Sequence, residues 1–229
     1  MKPYREIGHK IIWLEEVDST NNYAKNLAEK GEEEGIVVVA RKQTCGRGRE
    51  DRNWISPEGG LYLSFILRPV FPVKELTPIT LLSAVAVLEA VEDITSLKCQ
   101  LKWPNDLLLH GKKVCGILTE SKVVGETVVY VVVGIGVNVN NSIEELNAGL
   151  QYPAVSLKEK LGYDIEISIL LKEIIRNLNK YYPLTLSKGW SFIVKKWKEK
   201  LYQVDKELRE PIIHLQDFLS LENEEGELA

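Results

Sequence analysis

The 229-residue chain predicts an α+β (mixed α/β) fold, a central mixed sheet flanked by helices. Three observations point there. Apolar or alternating runs of strand length occur at residues 11–14, 36–40, 61–67, near Leu101, and at 107–109, 114–119 and 127–133. His110-Gly111 and Gly125-Glu126 separate the later runs in the manner of hairpin turns. From Ser156 onward apolar residues recur at helical spacing, over 167–182 and 190–201. Strict βαβ alternation is missing, which argues against a doubly wound parallel sheet.

Residues 11–14 lead into Asp18-Ser19-Thr20-Asn21, a cluster of N-cap residue types that predicts a helix start. Tyr23 with Leu27 and Ala24 with Ala28 supply i, i+4 pairs, and Gly31 ends the helix. Strand 36–40 then delivers the chain to a loop rich in glycine and arginine. After strand 61–67, Thr77 is the expected cap and Pro78 the first-turn proline of a helix reaching about Asp93. In Lys102-Trp103-Pro104-Asn105-Asp106 the proline would remove a ladder bond from a central strand. The strand must end or bulge there, which leaves Asn105 and Asp106 at a sheet rim. The run 127–133 is bounded by glycine and reads as a buried strand. There is no internal repeat, and only the Glu-rich last residues read as frayed. One domain is expected over residues 1–200, with a short C-terminal segment over 201–229.

Hydrophobic content of 45% and charged content of 27% are ordinary for a globular protein. A net charge of −4 argues against a surface that coats nucleic acid, which needs a broad basic face. Cys45, Cys99 and Cys115 show no CxxC spacing, so reduced thiols are expected rather than a disulfide framework or zinc cluster. With neither a signal-peptide pattern nor a run of transmembrane length, the expectation is a cytoplasmic protein with no membrane or nucleic-acid partner. His9, His110 and His214 lack metal-like spacing, and no nucleophilic triad stands out.

Gly46-x-Gly48 and Gly134-x-Gly136 both fail the dinucleotide fingerprint and the P-loop pattern. The second pair reads equally well as close backbone packing within a strand. The first belongs to Gly46-Arg47-Gly48-Arg49-Glu50-Asp51-Arg52-Asn53-Trp54. Between Arg41 and Arg52 five basic residues stand against two acidic ones, a net +3 over twelve positions. A solvated hairpin tip is the bland reading. The glycines favour a phosphate-binding loop, because they let backbone approach a ligand, and arginine suits bidentate phosphate contacts. Asp106 and Lys113 flank the His110-Gly111 turn, so a hairpin would bring both within reach of one ligand. Asp106 reads either as a salt-bridged turn residue or as a holder of Mg²⁺ on a nucleotide. Ser19-Thr20-Asn21 is either an ordinary helix start or a set of uncharged donors for a neutral polar group.

These residues resemble the catalytic domain of the biotin protein ligases, also called biotin–[acetyl-CoA-carboxylase] ligases. The likeness rests on Asp18-Ser19-Thr20-Asn21, on Gln43 with the GRGRxxRxW loop, and on Ser56-Pro57 with Leu61-Tyr62-Leu63-Ser64. It continues through KWPNDL, Lys113 and Gly116-Ile117 to Gly134-x-Gly136-x-Asn138, in family order over roughly 11–140. The resemblance implies a fold akin to class II synthetases. It implies an ATP-dependent ligase that makes biotinyl-5′-AMP and passes biotin to a lysine of a biotin carboxyl carrier protein. Lys113, Arg49 and Asp106 would be catalytic, with Mg²⁺ near Asp106. Biotin would meet Ser19, Thr20, Asn21, Gln43, Gly46, Arg47, Tyr62, Lys113, Gly116, Ile117 and Gly134. ATP or the adenylate would meet Arg47, Gly48, Arg49, Arg52, Trp54, Lys102, Asn105 and Asn138. The resemblance further implies a homodimer through a sheet edge. Because the chain starts almost at the catalytic domain, a form without the family's DNA-binding domain is expected. Residues from about 201 lack the glycine-punctuated pattern of the family's SH3-like domain, which is expected to be degenerate or absent. Glu50-Asp51 stand where a basic or small pair is usual. A lipoate–protein ligase of the same fold is the nearest rival, disfavoured by Gln43 and GRGR. A non-catalytic nucleic-acid-binding module is a rival from another class, disfavoured by the negative charge.

Overall fold

The computed structural model describes residues 5–50, 52–70, 73, 76–142, 144, 146 and 153–202. The expected C-terminal segment therefore lies, from residue 203 onward, outside the described residues. Seven strands form one mixed sheet in the order β1-β2-β3-β7-β6-β5-β4. They are β1 (Lys10–Val17), β2 (Ile36–Gln43), β3 (Leu61–Leu67), β4 (Cys99–Lys102), β5 (Asp106–Leu109), β6 (Lys112–Val124) and β7 (Thr127–Val137). Only β1 and β2 run parallel; every other neighbouring pair is antiparallel. The crossover between the parallel pair is α1 (Thr20–Glu29). The remaining helices are α2 (Thr77–Thr95), α3 (Leu157–Leu161), α4 (Ile167–Lys188) and α5 (Ser191–Glu199).

Alternation along the strands decides what each face carries. On β3, Leu61, Leu63, Phe65 and Leu67 join the main core, as do Val131, Val133, Ile135 and Val137 on β7. Helices α2, α4 and α5 cover that face, contributing Leu82, Leu88, Leu178 and Trp197 among others. The intervening residues look the other way. Ile66 and Val132 pack beneath Ala24 and Ala28 of α1, but α1 starts at Thr20 and covers only part of this second face. Where it stops, the sheet presents Ser64, Gly134, Gly136 and Gly116 instead of large side chains. Gly136 pairs directly with Gly116 across β6 and β7, making a flat floor.

Several boundaries depart from expectation. Thr77 lies inside α2 rather than capping it; Leu76 holds the N-cap position with no side-chain cap. Turn bonds satisfy the backbone there instead, from Leu76 N to Val73 O at 3.1 Å and from Ile79 N to Leu76 O at 3.2 Å. Strand β7 does not stop at glycine but runs through Gly134 and Gly136 to Val137. Helix α4 continues through Pro183, because Tyr181, Tyr182 and Thr185 remain buried on either side of it. Trp190 caps α5 instead of opening it. At the outer border, β1 leaves Ile11 and Trp13 exposed, Trp13 to 54%.

Candidate active site

The first wall of the site is the start of α1. Ser19 occupies the N-cap in an extended conformation, yet its side chain makes no cap bond. Gln43, arriving on β2, substitutes for it. Its Oε1 accepts from Thr20 N at 2.8 Å and from Thr20 Oγ1 at 3.1 Å, while its Nε2 donates to Ser56 Oγ at 2.8 Å. Ser64 Oγ reaches Thr20 Oγ1 at 2.8 Å and Asn21 Oδ1 at 2.6 Å. Asn21 Nδ2 donates in turn to Glu120 Oε2 at 2.8 Å. A helix start that uses a distant glutamine for its N–H leaves the Ser19 hydroxyl for something else.

The arginine loop folds back on itself as a small flap. Trp54 N donates to Gly46 O at 2.8 Å, Gly48 N donates to Arg52 O at 2.7 Å, and Arg47 stands opposite Asn53. A Cβ on Gly46 would strike Trp54 O and Ser56 Oγ, so closure at this root requires glycine. Glu50 takes a left-handed φ of 54° at the tip. The flap lays Trp54 on the glycine floor. A Cβ on Gly136 would come within 2.7 Å of Trp54 Cε2, and one on Gly116 within 3.0 Å of Cζ3.

Lys113 and Asp106 face each other across the β5–β6 hairpin, as the His110-Gly111 turn predicted. Nζ lies 2.7 Å from Asp106 Oδ1 and 5.2 Å from the centre of the Trp54 ring. Asp106 Oδ1 still has no properly aligned hydrogen bond, so the contact is an ion pair held by charge alone. The Lys113 backbone is pinned on both sides, its N–H donating to Pro153 O at 3.1 Å and its carbonyl accepting from Val155 N at 3.0 Å. Asn138 Nδ2 is spent on Val155 O at 3.2 Å, which leaves Asn138 Oδ1 buried without a partner. Trp54 Nε1 is likewise buried and unpartnered. A buried orphan donor and a buried orphan acceptor in one cavity are groups to be satisfied by a ligand.

That cavity, of about 180 Å³, brings together Ser19, Thr20, Asn21, Gln43, Arg47, Gly48, Arg49, Arg52, Trp54, Asn105, Asp106, Lys113, Gly116, Ile117, Gly134 and Asn138. Among the described residues in its wall Asp106 is the one carboxylate. Three expected site residues fall outside. Tyr62 shares the correct face but sits beneath the loop, donating to Pro57 O at 2.7 Å and accepting from Asn141 Nδ2 at 3.0 Å. Gly46 is the flap's root, and Lys102 lies beyond the rim on β4. Two others line the cavity with their polar ends already used. Asn21 is consumed by Ser64 and Glu120. Arg47 Nη1 is held by Glu120 Oε1 at 3.0 Å and Asn22 Oδ1 at 3.1 Å. Arg49 is exposed, and its side chain makes no ion pair among the described residues. The sequence reading gave no site role to Ser56, Ser64 or Glu120. Strand alternation was the available signal, since Ser64 and Glu120 share the face of Gly134 and Gly116.

A model described as the biotin/lipoate A/B protein ligase family matches residues 13–138. The chain belongs to this family. The bifunctional ligase/repressor BirA of Bacillus spizizenii is 38% identical over 193 residues, 84% of this chain and 59% of that protein. A biotin--[acetyl-CoA-carboxylase] ligase of Paracoccus denitrificans is 36% identical over 161 residues, 67% of this chain and 65% of that one. The chain thus spans less than two thirds of either relative. Among solved structures, the biotin protein ligase from Aquifex aeolicus in complex with biotin and ATP matches with a TM-score of 0.73 and 36% identity. The match covers 84% of this chain and 78% of that one. The α+β fold predicted from sequence is the fold of these biotin protein ligases.

Proposed function

We propose that the chain activates biotin with ATP as biotinyl-5′-AMP and transfers it to a lysine of a biotin carboxyl carrier protein. One observation carries this reading: Lys113, the Trp54 ring and the orphan Asn138 Oδ1 meet in a cavity whose far wall is the uncharged Ser19–Gln43 cluster. A neutral end suits the ureido ring, and a cationic, aromatic end suits an adenylate.

In the first step a biotin carboxylate oxygen attacks the α-phosphorus, and the bond to the β-phosphate oxygen breaks to release pyrophosphate. Two anions must approach, so a fixed cation between them lowers the barrier. Lys113 would fill that place, leaving Asp106 for it. Arg49 and Arg52 would lie over the phosphates. The adenine would stack on Trp54, with its amino group donating to Asn138 Oδ1. In the second step the carrier's neutral lysine amine attacks the biotinyl carbonyl, forming an amide and releasing AMP. The flap excludes water from the anhydride in between.

A lone carboxylate fits Mg²⁺ that arrives chelated by ATP better than a resident ion. No cluster of acidic, histidine or cysteine residues suited to a metal exists among the described residues. When bound, the ion would offset phosphate charge beside Asp106. No helix among the described residues is long and apolar enough to cross a membrane. We place the protein in the cytoplasm, as a homodimer through a sheet edge, with residues 1–200 as the catalytic unit.

Incubation with biotin and Mg·ATP followed by mass spectrometry is expected to yield biotinyl-AMP and equimolar pyrophosphate. Lipoyl-AMP formed in preference, with lipoate supplied alongside, would overturn the biotin assignment.

A further inference from the structure

We infer that Glu120 is the positioning residue through which helix α1 sets the resting place of the arginine loop. Glu120 lies on β6, two residues beyond Leu118, and takes no part in the cavity lining. Its carboxylate gathers donors from two separate stretches of chain. Asn21 Nδ2 reaches Oε2 at 2.8 Å, while Lys25 Nζ at 2.9 Å and Arg47 Nη1 at 3.0 Å share Oε1. The Glu120 side chain is 21% exposed and those of Lys25 and Arg47 are 27% and 38% exposed, so the cluster is half-screened from water.

Two cations on one anion make this pairing unlike that of Lys113 with Asp106. Lys25, fixed one turn into α1, neutralises Glu120 by itself. Arg47 can therefore be held or released without stranding a bare carboxylate, which is the condition for a latch rather than a structural ion pair. Arg47 is also well placed to act as one. It forms the bridge with Asn53 at the base of the flap, and its guanidinium is fastened a second time to Asn22 of α1. The same carboxylate extends to the opposite end of the cavity. Asn21 joins it to Ser64 Oγ and sits directly over Gly134, where an added Cβ would strike Asn21 Oδ1. A ligand that presses on Asn21 thus moves the carboxylate holding Arg47. Burial pushes the Glu120 carboxyl up. The hydrogen bonds from Asn21 and Lys25 and the charges of Lys25 and Arg47 outweigh that and hold it below the usual carboxylate value, so it is ionised at neutral pH.

The consequence for catalysis rests on the proposed biotin-activating function; the anchoring of the flap does not. Limited trypsin digestion of the full chain without ligand separates the two. Cleavage after Arg49 and Arg52, read by mass spectrometry, is expected to be about fivefold faster in Glu120→Gln than in the parent chain. Arg47→Gln is expected to match it, since it frees the flap while leaving Glu120 to Lys25 and Asn21. Lys25→Met is expected to leave the rate unchanged. The double variant Glu120→Gln/Arg47→Gln should add nothing to either single one, because both remove the same contact. Cleavage in both single variants within twofold of the parent would overturn the inference. So would equal acceleration at Lys188, which would mark general loosening. Should Glu120→Gln not fold, Arg47→Gln carries the test alone. Absence of biotinyl-AMP from the parent chain would refute the proposed function and leave the digestion result standing.

Discussion

Lys113 is the residue on which the proposed chemistry turns, and its surroundings say what its loss should do. Its ammonium sits between a carboxylate and an indole face, while its backbone is fixed on both sides. Lys113→Ala is expected to reduce pyrophosphate release by a factor of about 10² to 10³ or more. Biotin binding should remain measurable by calorimetry, because the uncharged wall is elsewhere. Normal pyrophosphate release from that variant would remove Lys113 from the mechanism. Arg49 belongs to the flap's exposed tip rather than its root. Arg49→Gly should make adenylate but release it early, so that lysines of bystander proteins become labelled; a rapid-filtration assay with unchanged retention would contradict this. At this scale the sequence disclosed residue types well and partners poorly. GRGR, KWPND and the two spaced glycines announced themselves. That Gln43 would cap α1, or that Arg47 would be spent on Glu120, depends on contacts 23 and 73 positions apart along the chain, which local spacing does not encode.

Among the elements, α1 decides how accurately the first wall is placed. Its N-terminus is fastened by Gln43, and its C-terminus by Arg68 from the end of β3. Arg68 Nη2 donates to Ala28 O and Glu32 O, both at 2.8 Å, and Nη1 donates to Val129 O at 3.2 Å. A guanidinium at a helix C-terminus also opposes the negative end of the dipole. Arg68→Met, which keeps the apolar stem, is expected to cost about 2 kcal/mol of stability and to lower the thermal midpoint. A midpoint within one degree of the parent, taken as roughly the noise of the melt, would show the carbonyls finding other partners. The strands of this sheet were legible because burial on one or both faces writes period-two or continuous apolar patterns into them. Thr77 and Pro183 misled because local preference was overridden, in one case by a preceding turn and in the other by buried neighbours on both sides.

For the whole molecule, ionisable groups set the limits of pH. Glu120 and Glu89 are each driven up by burial and drawn down further by hydrogen bonds and cations, to a net position below the usual value of 4.5. Around Glu120 these are Asn21, Lys25 and Arg47; around Glu89 they are Tyr181, Lys196 and Lys180. Groups so depressed stabilise the fold fully above 4.5 and withdraw that support as pH falls through their lower folded values. Denaturation midpoints should therefore be flat from pH 7 to 5 in this contribution and fall below 4.5. The thiols offer a second global probe. Burial pushes Cys99 up to about 12 and Cys115 higher still, while Cys45 is exposed. One thiol is expected to react with an aromatic disulfide reagent in the native chain at pH 8, and all three after unfolding. The single layered domain was legible from the order of its elements. The cavity was not, because it arises where α1 happens to end over a sheet that continues beyond it.

The bare border of β1 has a practical consequence. Among the described residues this strand is bonded on one side only, and the indole of Trp13 stands well out into water beside Ile11. Concentrated solutions should begin to scatter light through adhesion at that seam, and Trp13→Lys should postpone the onset while the ligand cavity keeps its shape.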